Sequence, residues 1–145
     1  GGSDVTLGAL LSAALPGPGR GCAAGGCGAQ PHDHVRTYLQ GTGRVSLRVR
    51  PPLQRPPGSV PSPTGWWHWS YCAKCSRRAA GGDSSAMESL SHCRPVAVSA
   101  DTLSLSFGRF LELSTAAREL RAPCGHSVHM DHLRFFCSEE GVASF

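Results

Sequence analysis

Two short phrases constrain this chain more than anything else in it: Cys72-Ala-Lys-Cys75 and, well downstream, Cys124-Gly-His126. A two-residue spacer lets one tight turn present both sulfurs to a single ion. Zinc takes four such donors tetrahedrally, at about 2.3 Å from sulfur and about 2.0 to 2.1 Å from imidazole nitrogen. The Cys-x-His phrase is a looser knuckle that supplies the remaining pair. Redox use of a Cys-x-x-Cys needs a strand-to-helix context with the first cysteine at the helix start, whereas here the pair follows an aromatic run. Seven cysteines, an odd number, stand beside seven histidines with no signal peptide. A disulfide framework is therefore the weaker reading, and a reducing, cytoplasmic setting is expected.

Cys22, Cys27 and His34 extend the donor set. Two partitions are open. In one, Cys22 and Cys27 meet Cys72 and Cys75 across a strand pair, as in a zinc ribbon. In the other, Cys72 and Cys75 pair with Cys124 and His126. His129 and His132 continue the spacing of His126 but read more simply as solvated histidines, and Cys93 and Cys137 as buried or free thiols. Every such zinc set is filled by protein donors, whereas a catalytic zinc keeps a position for water. The chain has no HExxH, no deaminase pair, no phosphate-binding glycine loop and no ordered nucleophile–base pair, so no catalytic residues are assigned and the segment by itself is expected not to be an enzyme.

The rest of the chain reads as short elements between loops. Asp4 is placed to cap a helix carrying Leu7, Leu10, Leu11 and Ala14, which Pro16 stops. Pro31 suits a first helical position, and Val35, Tyr38 and Leu39 predict a short helix ending at Gly41. Val45, Leu47 and Val49 alternate with Ser46, Arg48 and Arg50 as a half-buried strand. A second strand, in which Trp67, Trp69 and Tyr71 alternate with Trp66, His68 and Ser70, runs into Cys72, and its three tryptophans read as core. Val96 and Val98 start a strand. A helix from Ser106 to Leu113, with Ser106 as cap, is favoured over a strand through Leu103, Leu105 and Phe107. Val142 to Phe145 opens another strand. With 18 Gly and 11 Pro, the fold class expected is α+β: one small zinc-stabilised domain over 1–145 with short antiparallel strands, two or three short helices and long Gly/Pro-rich loops. A Pro-rich loop covers 51–65 and a Gly/Ser loop 79–86.

The net charge of +4 is carried almost wholly by arginine, Lys74 being the lone lysine. The excess is small and spread out, so it reads as a solvated face rather than a phosphate-binding one, and no nucleic acid is expected. No stretch approaches the roughly 18 to 20 apolar residues of a membrane span. The chain starts at Gly1 rather than Met and stops after Phe145, and is expected to be a fragment of a larger protein. Cys72-x2-Cys75 before Cys124-x-His126-x2-His129 also follows the order of a RING-type ubiquitin ligase core, although no closing Cys-x2-Cys follows. A nucleic-acid-binding zinc ribbon is the third reading.

The tail carries a resemblance. Ser106-Phe-Gly-Arg-Phe-Leu-Glu-Leu113, Cys124-Gly-His-Ser-Val-His129, Leu133-Arg-Phe-Phe136 and Val142-Ala-Ser-Phe145 resemble the cysteine-rich region of phosphatidylinositol-3-phosphate 5-kinases of the PIKfyve type. Thr6-Leu-Gly8, Cys22, Cys27, His34, Gly41-Thr-Gly43 and the Trp69-to-Cys75 run fall in the same order, so the resemblance covers nearly the whole chain. The Pro-rich insertion at 51–65 and Cys137-Ser-Glu-Glu140 depart from it. It implies a parent enzyme that makes phosphatidylinositol 3,5-bisphosphate with ATP and magnesium, on the cytosolic face of endosomal or vacuolar membranes. It implies that this segment is a non-catalytic zinc-binding structural and interaction region. The partners implied are the parent's other domains, scaffold and phosphoinositide phosphatase subunits, and the endosomal membrane through the parent.

Overall fold

The computed structural model describes residues 4–15, 21–22, 24–52, 60–82, 94–116 and 119–145. Cys93 and parts of the Pro-rich and Gly/Ser loops lie outside these residues. Alternation in the strands builds the frame. β1 (Val35–Gln40), β2 (Gly43–Arg50), β3 (Trp67–Cys72), β4 (Val96–Ala97), β5 (His132–Ser138) and β6 (Gly141–Ser144) form one sheet in the order β1-β2-β6-β5-β3-β4. Every neighbouring pair is antiparallel. β2 behaves as its pattern predicts: Val45, Leu47 and Val49 are buried, while Arg44, Arg48 and Arg50 are exposed.

The register carries that face across the sheet. Val49 stands opposite Ala143, Ala143 opposite Phe136 and Phe136 opposite His68. Against this face pack α1 (Leu7–Ala14) and α4 (Phe107–Ala116), with α3 (Ala100–Ser104) behind α1. The core joins Leu7, Leu11, Leu47, Phe107, Phe110 and Phe136, each worth about 1.5 to 3 kcal/mol when fully buried. Gly8 brings α1 and α3 together, since a Cβ there would lie 3.1 Å from both the Leu103 carbonyl oxygen and its Cβ. α2 (Ala73–Ala80) sits apart, with Cys72, Cys75, Ala79 and Cys124 in a second small cluster.

The mixed α and antiparallel β character agrees with the expected class, with four α-helices among the described residues rather than two or three. The helix expected after Pro31 is instead a 3-10 turn, Pro31–Asp33, followed by β1. Val35, Thr37 and Tyr38 favour an extended backbone, and the Gly41-Thr42 turn folds β1 onto β2 in register from Val35↔Arg48 to Gln40↔Gly43. Tyr38 reaches the core through Phe107, at 4.8 Å between ring centroids, while Leu39 is 74% exposed. The cap of α1 is Thr6, whose hydroxyl accepts from the Ala9 N–H. Asp4 instead accepts from the Gly108 N–H at the start of α4, and the hydrogen bond to the Ser106 side chain, then that to Gly108, holds its carboxyl below the usual range. Ser106 caps α4 through the Arg109 N–H, and the helix runs three residues past Leu113. Trp66 is core, whereas Trp67 and Trp69 are only half-buried.

His68 lies on the core face with its ring 4.8 Å from that of Phe136. Burial first, and then the Arg134 charge, lowers its pKa from 6.5 to about 4. The unfolded chain therefore takes up a proton between these values that the folded chain refuses, so this component of stability is complete above pH 6.5 and is lost as pH falls towards 4. The loss amounts to about 3 kcal/mol. Denaturant unfolding of the wild type and His68→Phe at pH 7 and pH 4.5 is expected to show the variant losing about 2 to 3 kcal/mol less over that interval.

Candidate metal centres

The last residue of β3 is Cys72, which also caps α2: its sulfur accepts from the Cys75 N–H at 3.4 Å. The helix start thus turns both sulfurs to one side, and both cysteines are buried. The second phrase folds as a turn in which Gly125 N–H donates to the Ala122 carbonyl and Ala122 N–H to the His126 carbonyl. Gly125 has φ +77, a left-handed conformation that glycine adopts without a side-chain penalty. The turn delivers His126 Nδ1 to 3.3 Å from Cys72 Sγ and 3.4 Å from Cys75 Sγ. With Cys124, all four donor atoms lie within 4.8 Å of one another. A tetrahedral zinc would place sulfur and nitrogen about 3.6 Å apart and two sulfurs about 3.8 Å apart. The group fits a metal of that kind.

The second group is Cys22, Cys27 and His34, also mutually within 4.8 Å. Cys27 N–H donates to the Ala24 carbonyl around Gly26, and Ala24 N–H donates to Cys22 Sγ at 3.4 Å. The 3-10 turn ends at His34, whose Nε2 lies 3.5 Å from Cys27 Sγ. The donors are therefore gathered by the second partition, with Cys72, Cys75, Cys124 and His126 together. The ribbon pairing of Cys22 and Cys27 with Cys72 and Cys75 is not formed. Among the described residues the Cys22, Cys27 and His34 group offers three donors, so the expectation that every set is filled holds only for the four-donor group.

Electrostatics separates metal binding from redox use. The strand-to-helix context thought to be missing at Cys72 is in fact present. Even so, the Cys75 thiol is pushed up to about 11, by burial first and then by hydrogen bonds from, and the closeness of, Cys72 and Cys124. Redox-active cysteines have depressed values. Three crowded sulfurs resist ionising together, and a bound cation reverses that logic by taking each as thiolate.

Asp131 and Lys74, which spacing did not single out, fasten the two phrases together. Asp131 Oδ2 accepts from the Ser127 N–H at 3.0 Å, Lys74 Nζ lies 2.9 Å from Oδ1, and Ala73 N–H donates to the Asp131 carbonyl at 2.7 Å. The hydrogen bond from Lys74 is the main reason the Asp131 carboxyl stays below its usual range. The one sequence signal was a lone lysine inside the Cys-x-x-Cys. His132 is a neighbour rather than a donor, with Nε2 4.0 Å from Cys124 Sγ and Nδ1–H donating to the Ser127 carbonyl at 3.0 Å. His129 joins neither group. Cys137 is buried, and burial raises its thiol pKa.

Gly125→Ala has open space around the new Cβ, so its cost is the left-handed backbone alone, about 1 to 2 kcal/mol. Competition with a chelator is expected to show roughly tenfold weaker metal binding at the four-donor centre, with the Cys22 group unchanged.

No family model and no solved structure matches the chain. Curated proteins do. The chain is similar to 1-phosphatidylinositol-3-phosphate 5-kinase FAB1A of Arabidopsis thaliana, 35% identical over 148 residues that cover 100% of the chain and 8% of the relative. It is 31% identical to FAB1B of the same plant, again over 100% of the chain and 8% of the relative. To the 1-phosphatidylinositol 3-phosphate 5-kinase of Homo sapiens it is 29% identical over 100% of the chain and 6% of the relative. The chain thus spans less than a tenth of the length of these relatives. Over its full length, then, the chain is homologous to one segment of the 1-phosphatidylinositol-3-phosphate 5-kinases.

Proposed function

We propose that this chain is a zinc-stabilised, non-catalytic region of a phosphatidylinositol-3-phosphate 5-kinase. The observation that carries the reading is the convergence of Cys72, Cys75, Cys124 and His126 in a chain matched end to end by those kinases. Zinc at that centre supplies a fixed tetrahedral junction and no chemistry, because four protein donors leave no position for water. Cys72 and Cys75 hold the end of β3, Cys124 and His126 hold the turn before β5, and Asp131 with Lys74 orients the two. Cys22, Cys27 and His34 hold a second ion that fixes the entry to β1.

In this reading the parent makes phosphatidylinositol 3,5-bisphosphate at endosomal membranes, with ATP and magnesium bound by its kinase domain elsewhere. This region organises the parent's domains and its scaffold and phosphatase subunits. A RING-type ligase is less well supported, since these relatives are lipid kinases and the donors fall into two groups that follow one another along the chain. In the full-length parent, Cys72→Ser with Cys124→Ser is expected to abolish co-purification of scaffold and phosphatase subunits. The turnover of the soluble enzyme on phosphatidylinositol 3-phosphate should stay within about twofold. A turnover lost in proportion to zinc, or zinc-dependent ubiquitin discharge by this chain, contradicts the reading.

A further inference from the structure

The sheet contains a slot. β6 pairs with β2 only from Arg48 to Arg50 and with β5 only from Phe135 to Ser138, after which Phe145 and Arg134 exchange backbone hydrogen bonds. Beyond that point the inner edge of β2, Gly43 to Leu47, and that of β5, His132 and Leu133, have no ladder partner among the described residues. A groove of about 590 Å³ lies between them, lined among others by Arg44, Ser46, Ser114, Leu133 and Phe145. Unpaired backbone edges inside a sheet are costly and template further pairing. β2 and β5 already stand two strand spacings apart, because β6 separates them farther along.

We propose, on the reading that this chain is one region of a longer kinase polypeptide, that the slot seats an extended strand contributed by the rest of that polypeptide, lying between β2 and β5 in line with β6. Main-chain groups on both edges supply the pairing, as in strand addition. The side chains set the occupant's pattern, with residues alternating between the two faces of the sheet. On the core side it meets Val45 and Phe145. On the other it meets Arg44 and Arg48, which are exposed and bonded to no carboxylate among the described residues. Arg134 also lines the slot, donating to Ser114 Oγ at 2.8 Å and lying over the Phe110 ring, again with no carboxylate partner. The Nδ1 of His129, another lining residue, is buried without a hydrogen-bond partner. The strand is therefore one that alternates apolar with acidic residues. More than nine-tenths of each relative lies outside the region matched here, which is ample polypeptide to provide it.

Residue-resolved hydrogen exchange on this chain alone and on the full parent polypeptide tests the proposal. Alternate amides of Gly43–Leu47 point into the slot, the others being bonded to β1. The slot-facing amides and that of His132, which points to the same side as the Arg134 N–H bonded to Phe145, should exchange at least about 100-fold more slowly in the parent, a difference of about 2.7 kcal/mol. Equal rates in the two proteins overturn the proposal, as does equal protection of the chain alone by inorganic phosphate, which would make the occupant an anion. A parent reading frame without a lipid kinase domain overturns the proposed function instead, and leaves the exchange comparison to judge the slot by itself.

Discussion

Three sulfurs and one imidazole meet where β3 ends, α2 begins and the turn before β5 closes, and the β5–β3 half of the sheet depends on that meeting. β3 and β5 pair over six residues, from Trp67↔Cys137 to Cys72↔His132, so the four-donor group lies at the end of that ladder. Cys72 is both the last residue of the strand and a donor. Ionising the three crowded sulfurs is unfavourable without a cation, in keeping with the raised Cys75 pKa, and favourable with one. The Asp131–Lys74 pair then sets the angle between the phrases rather than their affinity for each other, since Lys74 is half exposed and such pairs contribute little on their own.

The hydrophobic core does a different job. α1 and α4 cover the face of β2, β6 and β5 that carries Leu47, Ala143 and Phe136, and the second cluster at α2 is separate from it. A chain this rich in Gly and Pro buries a modest core, and the two donor groups stand where that core does not reach, one before β1 and one after β3. The opposite face of the sheet carries Arg44 and Arg48 on one half and stacked rings on the other, Trp69 and Tyr71 each lying against Phe135 at 5.3 and 5.5 Å.

What could be read from the sequence follows from how local each signal was. Period-two alternation in Val45, Leu47 and Val49, the hydroxyl cap at Ser106 and the spacing of the cysteines are local, and each appears in the structure. Val35, Tyr38 and Leu39 fit a helical stripe, while the pairing of β1 with β2 is a tertiary fact that no window on residues 31–41 contains. Thr6 displaced Asp4 as a cap because Asp4 bonds to Gly108, far along the chain. The choice between the two donor partitions was invisible for the same reason: it depends on which turn the sheet brings back to Cys72. The slot between β2 and β5 exists only once the strand order is known.

The most direct test of the account is the metal content of the purified chain by native mass spectrometry, with its amide NMR spectrum before and after chelation. The account predicts two zinc ions per chain, one retained when Cys72→Ser removes the other, and loss of spectral dispersion around β3, α2 and β5 when both are stripped. A metal-free chain with an unchanged, dispersed spectrum would contradict it.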